Sequence, residues 1–321
     1  MRRMTVIWLI VAACLVIIGS IVLGVVMMFL KWDFTKLSTV EYETNTYEIT
    51  EDFNDIFIDT NTAEIEFILS ENENCKVVCY EETKAKHSVS VENNVLSINV
   101  VQTKKWYDYI GIFNGTPKIT LYLSKKAYNI LSIKDDTGSI SVPKDFKFES
   151  IEISTSTGYV QNYASSSGKI KIKTSTGSIN IRDITAVSLD LLVSTGKISV
   201  ASVSCAEDIS MKVGTGRTEL SDVKCKNLTS KGDTGKIFLD DVIASDKIYV
   251  ERSTGDVSFN RCDAAEIFVE TDTGDINGSF LSNKVFITET DTGSINVPAT
   301  TDGGKCEIST DTGDIKITIE E

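Results

Sequence analysis

Few residues in this chain have the types and spacing that enzyme chemistry requires. The chain has a single histidine, His87, and any Ser-His-Asp or Cys-His site would have to use it. His87 lies in the stretch KAKHSVSV, at the edge of a predicted strand, where we expect it to face solvent. Asp and Glu are abundant enough to supply a glycosidase pair, but solvated turns account for them more simply. The sequence therefore predicts no catalytic residue.

Five aspartates are candidate metal ligands, because they cluster around Thr-Gly pairs near the end of the chain. Carboxylates stacked at strand spacing repel one another, and a Ca²⁺ ion would relieve that repulsion. The repeat GGxGxDxUx, which is typical of calcium-binding solenoids, is absent. We therefore predict no cofactor. A calcium site remains the alternative at Asp272, Asp275, Asp291, Asp311 and Asp314.

An aromatic stretch, KKWYDYIGIFNGTP at 104–117, can be interpreted in two ways. It could cover the open first turn of a repeat, which needs a cap. It could instead form a contact surface for a sugar, a protein partner or a bilayer, since exposed aromatic rings are typical of such surfaces. The residues concerned are Trp106, Tyr107, Tyr109 and Phe113.

Strands must position these residues, because the chain is rich in β-forming patterns. Segments such as DIFIDTNTAEIEFIL (55–69) and VSVENNVLSINVV (89–101) alternate apolar and polar residues, as half-buried strands do. No segment after residue 50 keeps a helical period long enough to predict a helix. The pair Asn93-Asn94 predicts a tight turn between two strands. A hydrophobic content of 41% with only three prolines agrees with an all-β fold.

A repeat organises the chain from residue 131 onward. A Thr-Gly pair recurs there at steps of 19 or 20 residues. Counting from each glycine, apolar residues recur at positions −7, −5, +2, +4 and +7, and small residues recur at +9. We expect the glycines to supply positive φ at sharp corners of the chain. They are Gly138, Gly158, Gly177, Gly196, Gly216, Gly235, Gly255, Gly274, Gly293 and Gly313.

This repeat predicts a β-solenoid. A unit of two strands cannot bury its apolar face alone and has to stack on its neighbours. The unit is too short for a propeller blade, and it has no helix for a leucine-rich coil. We predict a single-stranded, flattened parallel β-helix whose coils, here called rungs, lie about 4.8 Å apart. We expect the threonine before each glycine to bond the next rung, and Glu320 and Glu321 to protect the last strand, IKITI, from end-to-end stacking.

The seven cysteines do not predict a metal site, because no CxxC pair is present. Cys205 and Cys225 occupy the same position of consecutive rungs, so we expect them to be neighbours about 5 Å apart. We interpret them as buried free thiols, with a disulfide as the alternative.

The N-terminus predicts a membrane anchor. Residues 5–30 carry no charge and would span about 39 Å as a helix, which exceeds the thickness of a bilayer core. Arg2 and Arg3 precede this run. We therefore expect the short N-terminal end to stay in the cytoplasm and the bulk of the chain to lie on the extracytoplasmic side. A lipoprotein cleavage box around Cys14 is the alternative.

These patterns divide the chain into five segments: a cytoplasmic stub at 1–4, a transmembrane anchor at 5–31, a tether at 32–47, an irregular β cap with the first rungs at 48–130, and a regular solenoid at 131–321. A net charge of −14 argues against nucleic acid or an anionic lipid surface as the main partner, because both select basic surfaces. Ala12, Gly19 and Gly24 lie near one face of the anchor, where another helix could approach. We expect the partners to be the membrane and a further membrane or cell-envelope component.

The span and the Thr-Gly rungs together resemble a known family. Over nearly all of residues 50–321 the chain is similar to the bacterial putative-adhesin family of β-strand-repeat proteins, a family of unknown function that includes LiaG-like membrane proteins of Gram-positive cells. The resemblance implies a non-enzymatic binding or scaffold module of the cell envelope, adhesin-like or linked to envelope stress. It supplies no catalytic motif. A carbohydrate-active enzyme on a solenoid and a calcium-dependent adhesive rod are the alternatives.

Overall fold

The structure, a computed structural model, describes residues 2–33, 36, 38, 40–71, 74–109 and 115–320, apart from the side chains of Arg2 and Tyr109. The chain forms two compact units. The first contains Met1–Glu43, Glu82–Ala85 and Gln102–Gly115, and the second contains Thr44–Glu81, Lys86–Val101 and Thr116–Glu321. The first unit therefore holds the N-terminal segment, and the second holds the repeat.

The first unit begins with helix α1, Arg2–Phe29. Its residues are almost entirely apolar, and its length and composition suit a helix that crosses a membrane, as an anchor or a signal sequence would. The predicted apolar N-terminal helix is therefore confirmed. Most of its side chains are exposed, but Met27, near its C-terminal end, is only 1% exposed.

The described residues also form one short 3-10 helix, Trp106–Tyr109, and 21 strands. The strands before the regular repeat are β1 (Tyr42–Ile49), β2 (Asp55–Thr62), β3 (Glu64–Leu69), β4 (Cys75–Glu82), β5 (Ala85–Glu92), β6 (Val95–Gln102) and β7 (Lys118–Leu123). The strands of the repeat are β8 (Ala127–Val142), β9 (Lys147–Asn162), β10 (Ser165–Ser166), β11 (Lys169–Ala186), β12 (Ser188–Cys205), β13 (Ile209–Thr234), β14 (Ile237–Thr254), β15 (Val257–Cys262), β16 (Glu266–Thr273), β17 (Ile276–Phe280), β18 (Lys284–Thr292), β19 (Ile295–Asn296), β20 (Gly304–Thr312) and β21 (Ile315–Ile319).

The rungs of the second unit stack in parallel with their Thr-Gly pairs in register. β11 pairs with β9 on one side and β12 on the other, and it aligns Gly177 with Gly158 and Gly196. β13 and β14 extend the same ladder. The predicted β-solenoid is confirmed, and its core consists of the inward rows of each rung. In one rung these fully buried residues are Ile170, Ile172, Ile179 and Ile181.

Glycine is required at the Thr-Gly corners because neighbouring rungs approach closely there. A Cβ atom added to any of the ten glycines would overlap a carbonyl oxygen of the adjacent rung, which belongs to Ala63 for Gly138 and to the equivalent glycine for the others. Eight of the ten also have φ between 128° and 156°, whereas Gly138 and Gly158 do not. The feature that all ten share is therefore close approach of the backbones, with positive φ as an added requirement at eight.

The hydroxyl ladder between rungs lies two residues earlier than expected. Thr310 Oγ1 donates to Gly274 O and Thr290 Oγ1 donates to Gly313 O, both at 3.0 Å. Each of these threonines lies three residues before the corner glycine of its own rung. Its side chain is the last one that faces inward before the corner. The threonines directly before the glycines are exposed. The prediction that those threonines bond the next rung is therefore wrong, because their side chains face solvent.

A second bend lies six residues after each corner glycine in the middle rungs. It reverses the alternation, because the buried residues that follow Ile179 and Ile181 are Ile184 and Ala186. Each of these rungs therefore has a third, short inward segment beyond the bend. The residues at the bend have left-handed φ between 50° and 56°, and they are Asp183, Ser202, Asp222, Asp241 and Arg261.

The last two rungs are exchanged in space relative to the sequence. β20 pairs with β16 on one side and β18 on the other, and β21 lies likewise between β17 and β19. The end of the chain is thus held between two rungs. The strand IKITI is interior, so the prediction that Glu320 protects the end of the stack is wrong, and Glu321 lies outside the described residues. Residues 297–303 contain Pro298 and lack the apolar pattern of a third segment, so they lead the chain back instead.

The beginning of the solenoid shows the same kind of exchange. β2 pairs with both β6 and β8, and β3 pairs with both β7 and β8. The first rung in the sequence is therefore the second in the stack, and β6 and β7 lie outside it. β4 pairs antiparallel with β7. Asn93 and Asn94, between β5 and β6, have φ of 51° and 65°, which confirms the predicted tight turn.

Candidate functional site

His87 is the centre of a buried polar cluster in the second unit. The His87 Nδ1 atom lies 2.6 Å from Glu81 Oε2, which also accepts from the His87 backbone N–H. On the other side of the ring, Nε2 lies 2.9 Å from Thr60 Oγ1. Asn45 Nδ2 donates to the second carboxylate oxygen of Glu81 at 2.7 Å. His87 is 4% exposed, so the prediction that it faces solvent is wrong: its side chain points to the inward face of β5.

The cluster has the order of a catalytic triad but not the access that a triad needs. Thr60, His87 and Glu81 are connected as nucleophile, base and acid would be. Thr60 is 2% exposed and Glu81 is 0% exposed, so a substrate cannot reach the hydroxyl in this arrangement. The geometry therefore supports a structural network, in which each buried polar group satisfies another.

The same cluster contains the one group of closely spaced metal-ligand types among the described residues. Donor atoms of Cys79, Glu81 and His87 lie within 4.8 Å of one another, and their chemistry suits Zn²⁺. Both ring nitrogens and both carboxylate oxygens already have hydrogen-bond partners, however. Burial, and then the charge of Glu81, raises the pKa of Cys79 to about 12, so its thiol stays neutral. The network is thus complete without an ion.

The cysteines of the rungs are free thiols in the structure. Cys205 and Cys225 are buried on consecutive rungs, and β12 and β13 stay in register up to the residues before them. Burial raises the pKa of each thiol to about 12. Neutral, desolvated thiols are poor nucleophiles, so this pair acts as part of the core.

Two of the five candidate aspartates, Asp275 and Asp314, accept hydrogen bonds from the backbone of the neighbouring rung. Asp314 N donates to Asp275 Oδ1 at 2.9 Å, and Ser294 N donates to Asp314 Oδ1 at 2.8 Å. The hydrogen bonds from Ser294 lower the pKa of Asp314. Each carboxylate therefore caps the next rung of the stack. Asp272, Asp291 and Asp311 are exposed on neighbouring rungs.

Two buried cations were missed by the sequence analysis. Arg252, which is 1% exposed, donates from Nη1 to Val213 O at 2.8 Å and from Nη2 to Thr218 Oγ1 at 3.3 Å. Gly232 lies on the rung between that of Val213 and that of Arg252. It has no side chain, so it leaves room for the guanidinium group. The signal was present, because Thr218 stands where the other rungs carry Ile or Val.

The second buried cation, Lys284, lies in a shallow groove of about 620 Å³. Its Nζ donates to Asp263 Oδ1 at 2.6 Å, to Ala264 O at 2.8 Å and to Ser282 Oγ at 2.7 Å. A serine beside a lysine resembles a nucleophile and its base. All three donors of the ammonium group are used, however, and Ser282 donates its own proton to Asp263. The lysine therefore cannot accept a proton from the serine. Its hydrogen bonds to Asp263 and Ala264 instead hold the start of β18 to the segment that follows β15.

A cluster of tyrosines and amides lies on the outer face of two rungs. Tyr159 lies on β9, Tyr163 directly follows β9, and Asn180 lies on β11 beside them. Asn180 Nδ2 donates to both phenolic oxygens, at 3.4 Å and 3.3 Å, and Gln161 Nε2 donates to Tyr159 at 3.3 Å. The Tyr159 side chain remains 40% exposed. We call this group the tyrosine–amide face. Its signal in the sequence was two aromatic residues at outward positions of one rung.

The predicted aromatic stretch is partly described, in the first unit. Trp106 and Tyr107 lie in the 3-10 helix and are 76% and 48% exposed. Their rings meet edge to face with centroids 5.9 Å apart. A tryptophan that is three-quarters exposed covers no core, which favours a contact surface over a cap. Tyr109 is described only in its backbone, and Phe113 lies outside the described residues.

These features define a class: a β-repeat protein with an apolar N-terminal helix, in which His87 and its polar partners are buried and several aromatic side chains are exposed. The chain belongs to the Toastrack DUF4097 family, whose profile matches residues 53–210 and 193–321. This match confirms the resemblance to a bacterial adhesin-like family of unknown function. No curated protein shows significant similarity to the chain.

Several solved structures are similar over most of the chain. A putative adhesin from Parabacteroides distasonis is 10% identical with a TM-score of 0.43, and the match covers 88% of this chain and 98% of that one. A putative adhesin from Bacteroides fragilis is 14% identical with a TM-score of 0.34, covering 87% and 97%. A putative cell adhesion protein from Clostridium sporogenes is 11% identical with a TM-score of 0.21, covering 88% and 100%.

Proposed function

We propose that this protein is a non-enzymatic, membrane-anchored binding or scaffold module on the extracytoplasmic side of the cell membrane. In this proposal α1 is the anchor, and the solenoid presents its outer faces to a component of the cell envelope. The role is adhesive when that component is a surface polymer, and regulatory when it belongs to an envelope-stress sensor. The apolar length of α1 and the arginines before the span support the anchor and its orientation.

The observation that carries the binding role is the contrast between buried and displayed groups. The triad-like group of Thr60, Glu81 and His87 is sealed from solvent, whereas the tyrosine–amide face is open. Its rings and amides lie on two stacked rungs, so they form a flat surface with fixed spacing. Aromatic rings bordered by amide donors suit a polar polymer such as an envelope polysaccharide, because the rings stack on apolar patches and the amides bond hydroxyls.

The test is binding of the full-length chain, held in lipid vesicles, to isolated cell-envelope material. We expect the double substitution Tyr159→Ser and Tyr163→Ser to weaken binding at least about fivefold, since each lost ring contact is worth about 1 kcal/mol. The fraction that co-sediments with the material measures binding. The matched control is Phe238→Ser, which removes an exposed ring from the outer face of another rung.

Three results would contradict the proposal. Equal binding by the double variant and the control would show that the tyrosine–amide face is not part of the binding site. Release of soluble sugar fragments by the wild-type chain would favour the carbohydrate-active enzyme. Binding that requires added Ca²⁺ would favour the calcium-dependent rod.

A further inference from the structure

We propose that Trp106 and Tyr107 form a second membrane contact, which rests on the headgroup region of the bilayer that α1 spans. This inference depends on the proposed function, because it requires α1 to be a membrane anchor. It assigns the aromatic stretch to lipid, in preference to a sugar or a protein partner. All of the residues that carry it belong to the first unit.

Protein covers the end of α1 at the level where the helix leaves the membrane. Met27 is 1% exposed, and Gly24 and Leu30, three residues away on each side, are half-buried on the same helical face. On another face, Phe29 is 85% exposed. A buried side chain in the last turns of a span means that other parts of the protein reach the membrane surface. The covered face therefore lies at the depth of the headgroups.

The chain between α1 and the aromatic pair is short. Val40 and Glu41 line the same cavity of about 410 Å³ as Lys84 and Tyr107. Thr83 N donates to Glu41 O at 3.0 Å, which ties this part of the tether to the β4–β5 turn. About eleven residues separate the end of α1 from this cavity, and even fully extended they reach less than about 40 Å.

A tight turn shortens that reach further. Trp32 N donates to Met27 O at 2.9 Å, and Lys31 and Trp32 have left-handed φ of 53° and 58°. The chain therefore turns back on the end of the helix as soon as it leaves the apolar span. Tyr107 and its neighbour Trp106 consequently stay close to the membrane surface.

The side chains around the aromatic pair suit lipid headgroups. Trp and Tyr are the residues that prefer the membrane–water interface, because each combines an apolar ring with one hydrogen-bond donor. Lys84 is paired with Asp108, and Lys104 with Glu82, so these four charges cancel. Lys105 lies over the Tyr107 ring, 5.9 Å from its centroid, and adds one positive charge. The exposed Glu41 lines the same cavity and offsets this charge, so the surface is about neutral in a chain of net charge −14, and it is not repelled by anionic lipid.

Tryptophan fluorescence tests the inference directly, because the chain has only three tryptophans. Trp8→Phe with Trp32→Phe leaves Trp106 as the only tryptophan of the full chain. This variant is placed in nanodiscs of phosphatidylcholine and phosphatidylglycerol, with or without bromine atoms on the acyl carbons nearest the headgroup. We expect blue-shifted emission and at least about twofold quenching by the brominated lipid, as for an interfacial tryptophan.

The matched control moves the fluorophore to the solenoid. It carries Trp8→Phe, Trp32→Phe, Trp106→Phe and Phe238→Trp, and its emission should show no lipid-dependent quenching. Equal β-sheet content by circular dichroism shows that both variants are folded. A retained chain in which Trp106 is unquenched, or shifts only when envelope material is added, overturns the lipid contact and leaves the anchor intact. A chain that does not stay with the nanodiscs overturns the proposed function, and this inference with it.

Discussion

At the scale of single residues, Asp135 is a buried acid in a row that carries threonine in five of the ten rungs. It precedes Gly138 by three residues, the position of Thr155, Thr174 and Thr310 in other rungs. Asp135 is 1% exposed, and burial, followed by the charge of Asp136, raises its pKa to about 7. The folded state therefore holds this proton more tightly than the unfolded state does. Its contribution to stability is fully present below pH 4 and is lost as the pH rises to about 7.

Replacing Asp135 with Thr should remove this pH dependence. A shift of about three pKa units corresponds to about 4 kcal/mol, so the variant should be more stable than the wild type by up to that amount above pH 7. At pH 4 the difference should be small. Urea unfolding between about pH 4 and pH 8 measures it, with Asp145→Thr, an exposed site, as the control. Parallel pH profiles for the wild type and D135T would show that Asp135 is not the titrating group.

His87 shows what residue-level patterns can predict. Its burial follows from alternation, because Ala85, His87, Val89 and Val91 share one face of β5. The partners in this cluster could not be predicted, since Thr60 reaches His87 from β2 and Asn45 reaches Glu81 from β1, both far away in the sequence. A histidine on an apolar face indicates a buried polar partner, but only the tertiary fold identifies it.

At the scale of the repeating element, the corner glycines combine two requirements that can be separated. Gly235 has a φ of 128°, a conformation that residues other than glycine rarely adopt, whereas Gly158 lacks the positive φ. If close approach fixes both glycines, any Cβ is excluded at both, because the added atom would overlap Gly216 O at Gly235 and Gly138 O at Gly158. The overlap is with backbone, which cannot move without shifting a whole rung.

We therefore expect Gly158→Ala and Gly235→Ala to be about equally disruptive, each by more than about 2 kcal/mol. Thermal unfolding followed by circular dichroism measures the loss. Ser258→Val, at an outward position of another rung, is the control and should be close to neutral. A melting curve for G158A that matches the wild type would mean that φ, and not rung spacing, selects glycine.

The rung itself was largely predictable from the sequence, because its length is constant and its inward rows repeat. The second bend was also encoded, since the inward positions change from +2 and +4 to +7 and +9, which breaks a strict alternation. The position of the hydroxyl ladder was not, because five of the ten rungs carry Thr both one and three residues before the glycine. Which of the two faces inward depends on the corner geometry.

At the scale of the whole molecule, the exchange of the last rungs was hidden by the constant spacing of the Thr-Gly pairs. Spacing measures the length of a rung and says nothing about which rung it stacks on. The clue was local: residues 297–303 contain Pro298 and lose the apolar pattern. β20 and β21 consequently hold β18 and β19 against the rest of the stack.

Ending the chain at Gly303 should therefore release two rungs instead of one. β18 and β19 would lose the strands they pair with, and β16 would become the exposed edge. Amide hydrogen exchange should show loss of protection over Lys284–Asn296 in the shortened chain. A chain that ends at Ile319 is the control and should keep full protection. Unchanged protection of Lys284–Asn296 after removal of β20 and β21 would show that the rungs stack in sequence order.

The interlocked ends also limit how genes for such proteins can change in length. A duplication at either end would copy a segment that has to slip between two existing rungs, and its folded place would already be occupied. A duplication between Gly158 and Gly255 inserts one self-contained rung into a ladder with regular register. Each such event would lengthen the stack by about 4.8 Å without disturbing either end. Natural proteins of this architecture should therefore differ in the number of their middle rungs, and their genes should differ there in steps of 19 or 20 codons.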